Sequence, residues 1–155
     1  MENELPFIEI YNWRNFKIGK EYIHCYGSYW YDNETGDIKD SRKCSISQNN
    51  KKLKNLNTKK SYPKSFFIMQ GCHVYHKYET KNIRAYDCFV KLDNYIYVCS
   101  KIYAENTETF TVLCYYDFKE DKCFFDNISM DLMYKLNFII ERKLEKYLVS
   151  NPVQP

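Results

Sequence analysis

An alternating pattern of side chains from Tyr86 to Phe125 runs directly into a helical pattern from Met130 to Leu148. In the first stretch, apolar or aromatic residues recur at every second position, which is the period of a β-strand. Short polar turns separate the successive runs, and strands joined in this way pair antiparallel. The pattern predicts a β-meander with strands at Ala85 to Leu92, Tyr95 to Tyr103, Thr109 to Phe118 and Lys122 to Phe125.

The first turn of this meander is Asp93-Asn94, two residue types that tolerate the positive φ of a tight hairpin. Both faces of the second strand carry large side chains, because Tyr97 stands between Ile96 and Val98. An antiparallel sheet with one solvated face would place polar residues at alternate positions. We therefore expect both faces of the meander to be covered, by the helix or by earlier strands.

The helix is expected to begin after Ser129, whose hydroxyl can accept a free backbone N–H of the first turn. Tyr134 and Phe138 lie one turn apart, outside its main apolar face. We interpret them either as contacts to a neighbouring loop or to the edge of a broad buried face, or as a partner-binding patch. The main face has helical spacing and consists of Leu132, Leu136, Ile139, Ile140, Leu144 and Leu148.

The first half of the chain carries weaker strand patterns. A long strand is predicted from Glu21 to Asp32, in which Gly27 marks a bulge or a close backbone approach. Phe7 to Tyr11, Ile38 to Ser47 and a region from Ser65 to Thr80 that is broken at Gly71 are further strand candidates, whereas Asn12 to Lys20 reads as a turn.

These elements predict one β-rich domain over residues 1–150, followed by a tail over residues 151–155. Its class is α+β: an antiparallel β-meander or partly closed barrel, packed by one C-terminal α-helix at about residues 130–148. Pro152 and Pro155 prevent the helix from continuing through the tail.

Residues 48–64 differ from the rest because they contain six lysines and no acidic residue. We interpret them as a long, flexible, basic loop, and loops of this length are usually functional or disordered. Such lysines can neutralise phosphates of a nucleic-acid backbone without reading its sequence. The predicted phosphate contacts are Lys51, Lys52, Lys54, Lys59, Lys60 and Lys64; the alternative is a solvated loop with no specific partner.

Tyr29-Trp30-Tyr31 would form a stacking platform for bases if one of these rings is exposed. The 16 tyrosines and 10 phenylalanines of the chain do not by themselves indicate such a surface. Tyr, Phe, Lys, Asn and Ile all have A/T-rich codons, so compositional bias of the genome accounts for much of the aromatic content.

The cluster Cys72-His73-Val74-Tyr75-His76 contains the residue types that bind zinc. Side chains alternate along a strand, so His73 and His76 should point to opposite faces, and Cys72, His73 and His76 are weak metal candidates. We expect no metal and no cofactor. The chain has seven cysteines and no C-x-x-C pair, so we expect reduced, buried cysteines rather than a disulfide framework.

The formal net charge of +3 is too small to indicate nucleic-acid binding without a local cluster. Residues 1–6 lack a secretory signal pattern and no apolar run is long enough to span a bilayer, so an intracellular, cytoplasmic protein without membrane contact is expected. Four glycines form no phosphate-binding loop, and no catalytic motif is present, so we expect no enzyme.

The sequence thus favours a non-catalytic binding protein that docks on a larger assembly, such as a ribosome or another ribonucleoprotein, and contacts RNA phosphates through its lysines. The first alternative is a protein–protein antagonist or structural subunit, such as a viral effector or minor shell component, that uses the aromatic helix face or a sheet edge. The second is a small Cys/His enzyme or a ligand-binding barrel.

Overall fold

The computed structural model describes residues 7–47 and 64–150, in which β-strands precede a long C-terminal helix. The strands of the first half are β1 (Phe7–Asn12), β2 (Asn15–Ile18), β3 (Glu21–Tyr26), β4 (Tyr29–Tyr31), β5 (Ile38–Asp40), β6 (Lys43–Ile46) and β7 (Lys64–Phe67). The second half contains β8 (Gly71–Glu79), β9 (Arg84–Leu92), β10 (Tyr95–Tyr103), β11 (Glu108–Asp117), β12 (Lys122–Phe124) and helix α1 (Met130–Ser150).

The strands form two five-stranded antiparallel sheets and a separate hairpin. The first sheet has the order β6-β3-β2-β1-β7, the second sheet has the order β12-β11-β10-β9-β8, and β4 pairs with β5. The second sheet is an unbroken meander, and helix α1 packs against it. The predicted α+β class, a meander packed by a C-terminal helix, is confirmed.

The two sheets share an apolar core. Phe16 and Ile23 of the first sheet are fully buried against Phe89, Ile96 and Val98 of the second sheet. Because successive strand residues point to opposite faces, the neighbours of these residues lie on the other side of the second sheet. The meander is therefore apolar on both faces, as its sequence predicted.

Helix α1 covers that other face. Its buried residues Leu136, Ile140 and Leu144 pack against a surface that includes Tyr97 and Cys99, and we call this contact the helix interface. The backbone N–H of Leu132 donates to the Ser129 hydroxyl at 3.2 Å, so the predicted N-cap is confirmed.

The hairpin β4–β5 covers one end of the second sheet. Ile38 is buried there with Ile83, Ala85 and Ile102, and Tyr29 and Tyr31 pack against this cluster. Within the described residues, no helix is long and apolar enough to cross a membrane.

Four predictions for the first half were wrong in detail. The strand predicted from Glu21 to Asp32 breaks after Tyr26, because Gly27 adopts a φ of +100° and a Cβ there would lie 2.6 Å from the carbonyl oxygen of Ser41. The close backbone approach expected at Gly27 is thus present, and it separates β3 from β4. The predicted strand at Ile38 to Ser47 likewise divides into β5 and β6.

The other two differences concern a turn and a loop. The predicted turn from Asn12 to Lys20 contains β2, a short strand whose Phe16 and Ile18 are fully buried. Lys64 was assigned to the basic loop, but it is the first residue of β7 and pairs with Ile10. Lys51, Lys52, Lys54, Lys59 and Lys60 lie outside the described residues.

Candidate functional site

A cavity of about 500 Å³ opens where the hairpin β4–β5, the β1–β2 turn and strands β8 and β9 come together. We call this cavity the pocket. Both tryptophans of the chain contribute to its wall, and a mixture of charged and aromatic side chains completes it. The lining residues are Trp13, Arg14, Gly27, Ser28, Tyr29, Trp30, Tyr31, Arg42, His76, Tyr78, Ile83 and Asp87.

The aromatic wall of the pocket presents both packed and accessible rings. Trp30 is 53% exposed, so its ring can be reached from solvent. Trp13 stacks on His76 with a centroid distance of 5.4 Å, and the guanidinium carbon of Arg14 lies 4.1 Å from the centre of the Trp13 ring. Trp30 is therefore the ring best placed to receive a flat ligand, and Arg14 supplies a positive charge at the rim.

The deep end of the pocket contains a buried ion cluster of Arg42, Asp40, Asp87 and Ser100. The Arg42 guanidinium donates two hydrogen bonds to the Asp40 carboxylate, at 3.1 and 2.9 Å, and one to Asp87 at 3.0 Å. It also donates to the Ser100 hydroxyl. The side chains of Arg42, Asp40 and Asp87 are only 6–7% exposed, so the guanidinium charge is compensated by the two carboxylates rather than by water.

Burial governs the electrostatics of this cluster. Burial raises the pKa of Asp87, and the nearby Arg42 and His76 offset part of that effect. For Arg42, burial alone would lower the pKa, but the carboxylates of Asp40 and Asp87 outweigh it and raise the pKa. The guanidinium is thus held in its charged form, and its charge is balanced inside the protein. This arrangement favours a neutral, polar ligand in the deep part of the pocket.

Tyr29 and Tyr31 fix the position of the hairpin through their contacts, and their rings are less exposed than that of Trp30. The Arg42 guanidinium lies 4.7 Å from the centre of the Tyr29 ring, and Tyr78 contacts the same ring edge-on at 6.0 Å. Burial raises the pKa of Tyr29 to about 12. The Tyr31 hydroxyl donates to Glu105 at 2.8 Å, which ties the hairpin to the β10–β11 turn. Of the three predicted stacking residues, only Trp30 is largely exposed.

The interpretation of His73 and His76 was wrong. A bulge at Tyr75 interrupts the pairing of β8 with β9, so that His73 pairs with Phe89 while His76 pairs with Asp87. Phe89 and Asp87 lie on the same face of β9, and the two histidines therefore share that face as well. The bulge is what brings His76 into the pocket.

These histidines nevertheless do not form a metal site with Cys72. Cys72 lies on the opposite face of β8, at the helix interface, where a hydrogen bond from Cys88 lowers its pKa. His73 stacks on Phe66 at 4.3 Å, away from the Trp13–His76 pair. Within residues 7–47 and 64–150, no three His, Cys, Asp or Glu residues are grouped as metal ligands.

The expectation that all cysteines are reduced was also wrong for one pair. Cys25 of β3 and Cys44 of β6 are direct cross-strand partners with a Cα–Cα distance of 4.0 Å, and their sulfur atoms form a disulfide. The sequence offered no signal for this pair, because its register depends on the pairing of β3 with β6. The other five cysteines are free, and four of them are buried.

A second exposed surface lies on helix α1. Met130, Tyr134 and Phe138 are 61%, 66% and 63% exposed, and they follow one another at intervals of four residues. We call these residues the exposed helix stripe. Tyr134 and Phe138 thus face solvent, and among the residues that the structure describes they do not pack against a neighbouring loop.

Sequence reasoning missed several residues of the pocket, namely Trp13, Arg14, Arg42, Tyr78 and Asp87. The only local signal was Trp13-Arg14 within a turn, where a large aromatic ring has no strand to pack in. Arg42 and Asp87 are 45 positions apart, so their ion pair has no local signature. No protein-family model, curated protein or solved structure matches the chain.

Proposed function

We propose that the chain is a non-catalytic binding protein that docks on an RNA-containing assembly and holds an unstacked base in the pocket. The observation that carries this proposal is the combination of the half-exposed Trp30 ring with a cavity of about 500 Å³. Sequence-specific RNA recognition commonly splays bases out of single-stranded segments and stacks them on aromatic rings or on Arg. A cavity of this size falls in the range of small-ligand sites.

The charges around the pocket fit the polar parts of such a ligand. A base is flat and neutral but carries donors and acceptors on its edge, which suits the balanced Arg42–Asp87 pair at the deep end. Arg14, at the rim, can contact the phosphate of the same nucleotide. The lysines at positions 51–60, in the segment that joins β6 to β7, would add phosphate contacts that do not depend on sequence.

The test is the affinity of the full-length protein for a labelled single-stranded RNA of roughly eight nucleotides, measured by fluorescence anisotropy. Trp30→Ala should weaken binding roughly 5- to 150-fold, which is the loss that corresponds to one base–aromatic stack. Phe138→Ala removes an equally exposed ring elsewhere and should leave binding unchanged. Equal affinities of the wild type and Trp30→Ala would show that the pocket does not contribute to RNA binding.

The same assay distinguishes the contribution of the pocket to RNA binding from the contribution of the lysines. Changing Lys51, Lys52, Lys54, Lys59 and Lys60 to Ala should weaken binding to all sequences and should lower the slope of log affinity against log salt by up to about 3.5. Trp30→Ala should leave that slope unchanged, because stacking releases no counterions. A mononucleotide that binds as tightly as the oligonucleotide would indicate a free small ligand instead of RNA.

A second candidate function is a protein–protein contact through the exposed helix stripe. Its support is the exposure of three large apolar side chains on one face of α1. Under this alternative, the chain is an antagonist or structural subunit whose association is insensitive to salt. Phe138→Ala would then abolish association with a protein partner purified from the native source, whereas Trp30→Ala would not.

A further inference from the structure

The Cys25–Cys44 disulfide closes the segment that forms much of the pocket wall. Cys25 lies in β3, one residue before its end, and Cys44 lies in β6, two residues after Arg42. The 19-residue separation between them contains the whole hairpin β4–β5. Six of the twelve lining residues belong to this segment: Gly27, Ser28, Tyr29, Trp30, Tyr31 and Arg42.

The two ends of this segment are held in different ways. The far end is tied by hydrogen bonds to the β10–β11 turn, through Tyr31 to Glu105 and through the N–H of Ile38 to the Thr107 hydroxyl at 3.1 Å. At the near end, β6 is an edge strand of four residues that pairs with β3. Short edge strands are the parts of a sheet that open most easily. At this end the disulfide adds a covalent link to the hydrogen bond from the Ser41 backbone N–H to the Ser28 carbonyl oxygen and to the buried ion pairs of Arg42.

The near end also connects to the opposite wall of the pocket. The backbone N–H of Cys25 donates to the carbonyl oxygen of Arg14 at 2.7 Å, next to Trp13. Arg42, which directly precedes β6, reaches across to Asp87 of the second sheet. A displacement of β6 from β3 would therefore move Arg42 and the hairpin away from Trp13 and Arg14.

The cysteine content of the chain fits a reversible bond better than a permanent one. Five free thiols coexist with one disulfide in the same chain, and such a composition is unusual for a protein whose disulfides serve only as permanent staples. Cys88, Cys99, Cys114 and Cys123 are buried in the core, so they are poor competitors for thiol–disulfide exchange. Cys25 and Cys44 are themselves only 7% and 8% exposed, so exchange at the disulfide requires β6 to open from β3. Cys72 lies on the other face of the second sheet, beneath helix α1.

We propose that the Cys25–Cys44 disulfide is a redox control of the pocket: the bonded form holds the hairpin and Arg42 in the binding arrangement, and the reduced form binds its ligand more weakly. The inference rests on the proposed function for the identity of the ligand. In the forward step, a dithiol reductant transfers two electrons and two protons, the S–S bond breaks, two thiols form and the reductant becomes a cyclic disulfide. A low-molecular-weight disulfide such as oxidised glutathione reverses the step by thiol–disulfide exchange.

Coupling of this kind is reciprocal. If the disulfide strengthens ligand binding, the bound ligand must in turn favour the disulfide by the same factor. RNA that occupies the pocket should therefore make the disulfide harder to reduce. This second effect is independent of any substitution in the chain.

The experiment compares the full-length protein in its oxidised form, after reduction by dithiothreitol, and as a Cys25→Ser, Cys44→Ser double variant. Affinity for the single-stranded RNA is measured by anisotropy, and amide hydrogen exchange of residues 26–43 is measured without RNA. Cys72→Ser is the matched control, because it removes a partly exposed thiol at the helix interface. Circular dichroism verifies that the double variant remains folded.

In the dithiothreitol-reduced protein and in the double variant, we expect faster amide hydrogen exchange of residues 26–43 and a roughly 5- to 150-fold weaker affinity for RNA. Cys72→Ser should change neither quantity. Unchanged amide hydrogen exchange, or faster amide exchange with an unchanged affinity for RNA, overturns the redox control and leaves the proposed function standing. Faster exchange in a protein whose oxidised form binds no RNA overturns the proposed function, while the control of the hairpin by the disulfide stands.

Discussion

A buried cation lies against each face of the second sheet, and the two cations are held differently. At the helix interface, Lys101 donates to Glu108 at 3.0 Å, to Asn137 at 3.0 Å and to Glu141 at 3.1 Å. At the pocket, Arg42 is enclosed by Asp40 and Asp87. The partners of Lys101 are 59% and 43% exposed, whereas those of Arg42 are almost fully buried.

This difference distinguishes the helix interface, which is structural, from the pocket, which is a candidate binding site. The carboxylates around Lys101 can turn to water if the ammonium is removed, so the pair costs little to break. The carboxylates around Arg42 have no such route, and their charges depend on Arg42. A buried ion cluster beside an open aromatic cavity provides fixed donors and acceptors for a ligand, whereas the helix interface is stabilised mainly by apolar contact.

Substitution of Arg42 by methionine should have the largest effect on stability. It leaves Asp40 and Asp87 without their cation, and the loss of a buried partner typically costs about 3–5 kcal/mol in the free energy of unfolding. Urea denaturation measures this loss. Combining Arg42→Met with Asp87→Asn should recover part of it, and a loss below about 1 kcal/mol would show that the cluster is not dry.

At the helix interface, apolar packing should dominate. Leu136 is fully buried, so Leu136→Ala is expected to lower the free energy of unfolding by about 2–5 kcal/mol. Phe138→Ala, two positions along the same helix but on the exposed helix stripe, should change it by less than about 0.5 kcal/mol. Similar losses for the two variants would contradict the assignment of buried and exposed faces to α1.

Lys101→Met repeats the substitution made at Arg42 on the other face of the sheet. Because Glu108 and Glu141 can be solvated, the expected change in the free energy of unfolding is within about 1 kcal/mol. The same urea denaturation measures it. A loss as large as that of Arg42→Met would erase the distinction between the two cations.

The smallest expected effect concerns tyrosine ionisation at high pH. Burial raises the pKa of Tyr29 to about 12, whereas an unfolded tyrosine ionises near its ordinary value of about 10. The folded protein therefore retains a proton that the unfolded chain loses, and stability falls as the pH rises from 10 to 12. Tyr29→Phe should lose less stability than the wild type between pH 10 and pH 12, as measured by urea denaturation.

Tyr97 offers the matched variant on the helix-covered face, because burial raises its pKa to about 12 as well. Tyr97→Phe should also reduce the alkaline loss of stability. An unchanged pH dependence in either variant would indicate that the corresponding ring is reached by solvent in the folded protein.

The two halves of the chain also differ in how far their structure follows from sequence. From β9 to β12, each strand follows a continuous sequence pattern and each turn is local, and Asp93 adopts the positive φ of 56° that its turn requires. Strand bounds there agree with the prediction to within one residue, and helix α1 begins at the predicted Met130. Local periodicity was sufficient because neighbours in sequence are neighbours in space.

The first half of the chain and strand β8 depend on contacts that no short window of sequence contains. Gly27 interrupts a convincing strand pattern because the backbone of Ser41 approaches it. The bulge at Tyr75 reverses the side to which His76 points, and the Cys25–Cys44 pair follows from the β3–β6 register. Trp30 was identified from sequence, but its neighbours in the pocket come from five separate segments. Binding residues that converge from distant segments are therefore the part that periodicity does not predict.

The central claim is that the pocket is the binding site, and the two tryptophans allow a direct test. Trp13 and Trp30 are the only tryptophans in the chain and both line the pocket, so each gives one indole N–H signal in a proton–nitrogen correlation spectrum. On titration of the oxidised protein with single-stranded RNA, we predict that both indole signals shift while the backbone amides of Met130, Tyr134 and Phe138 do not. Indole signals that stay in place while the amides of the exposed helix stripe shift would contradict the account.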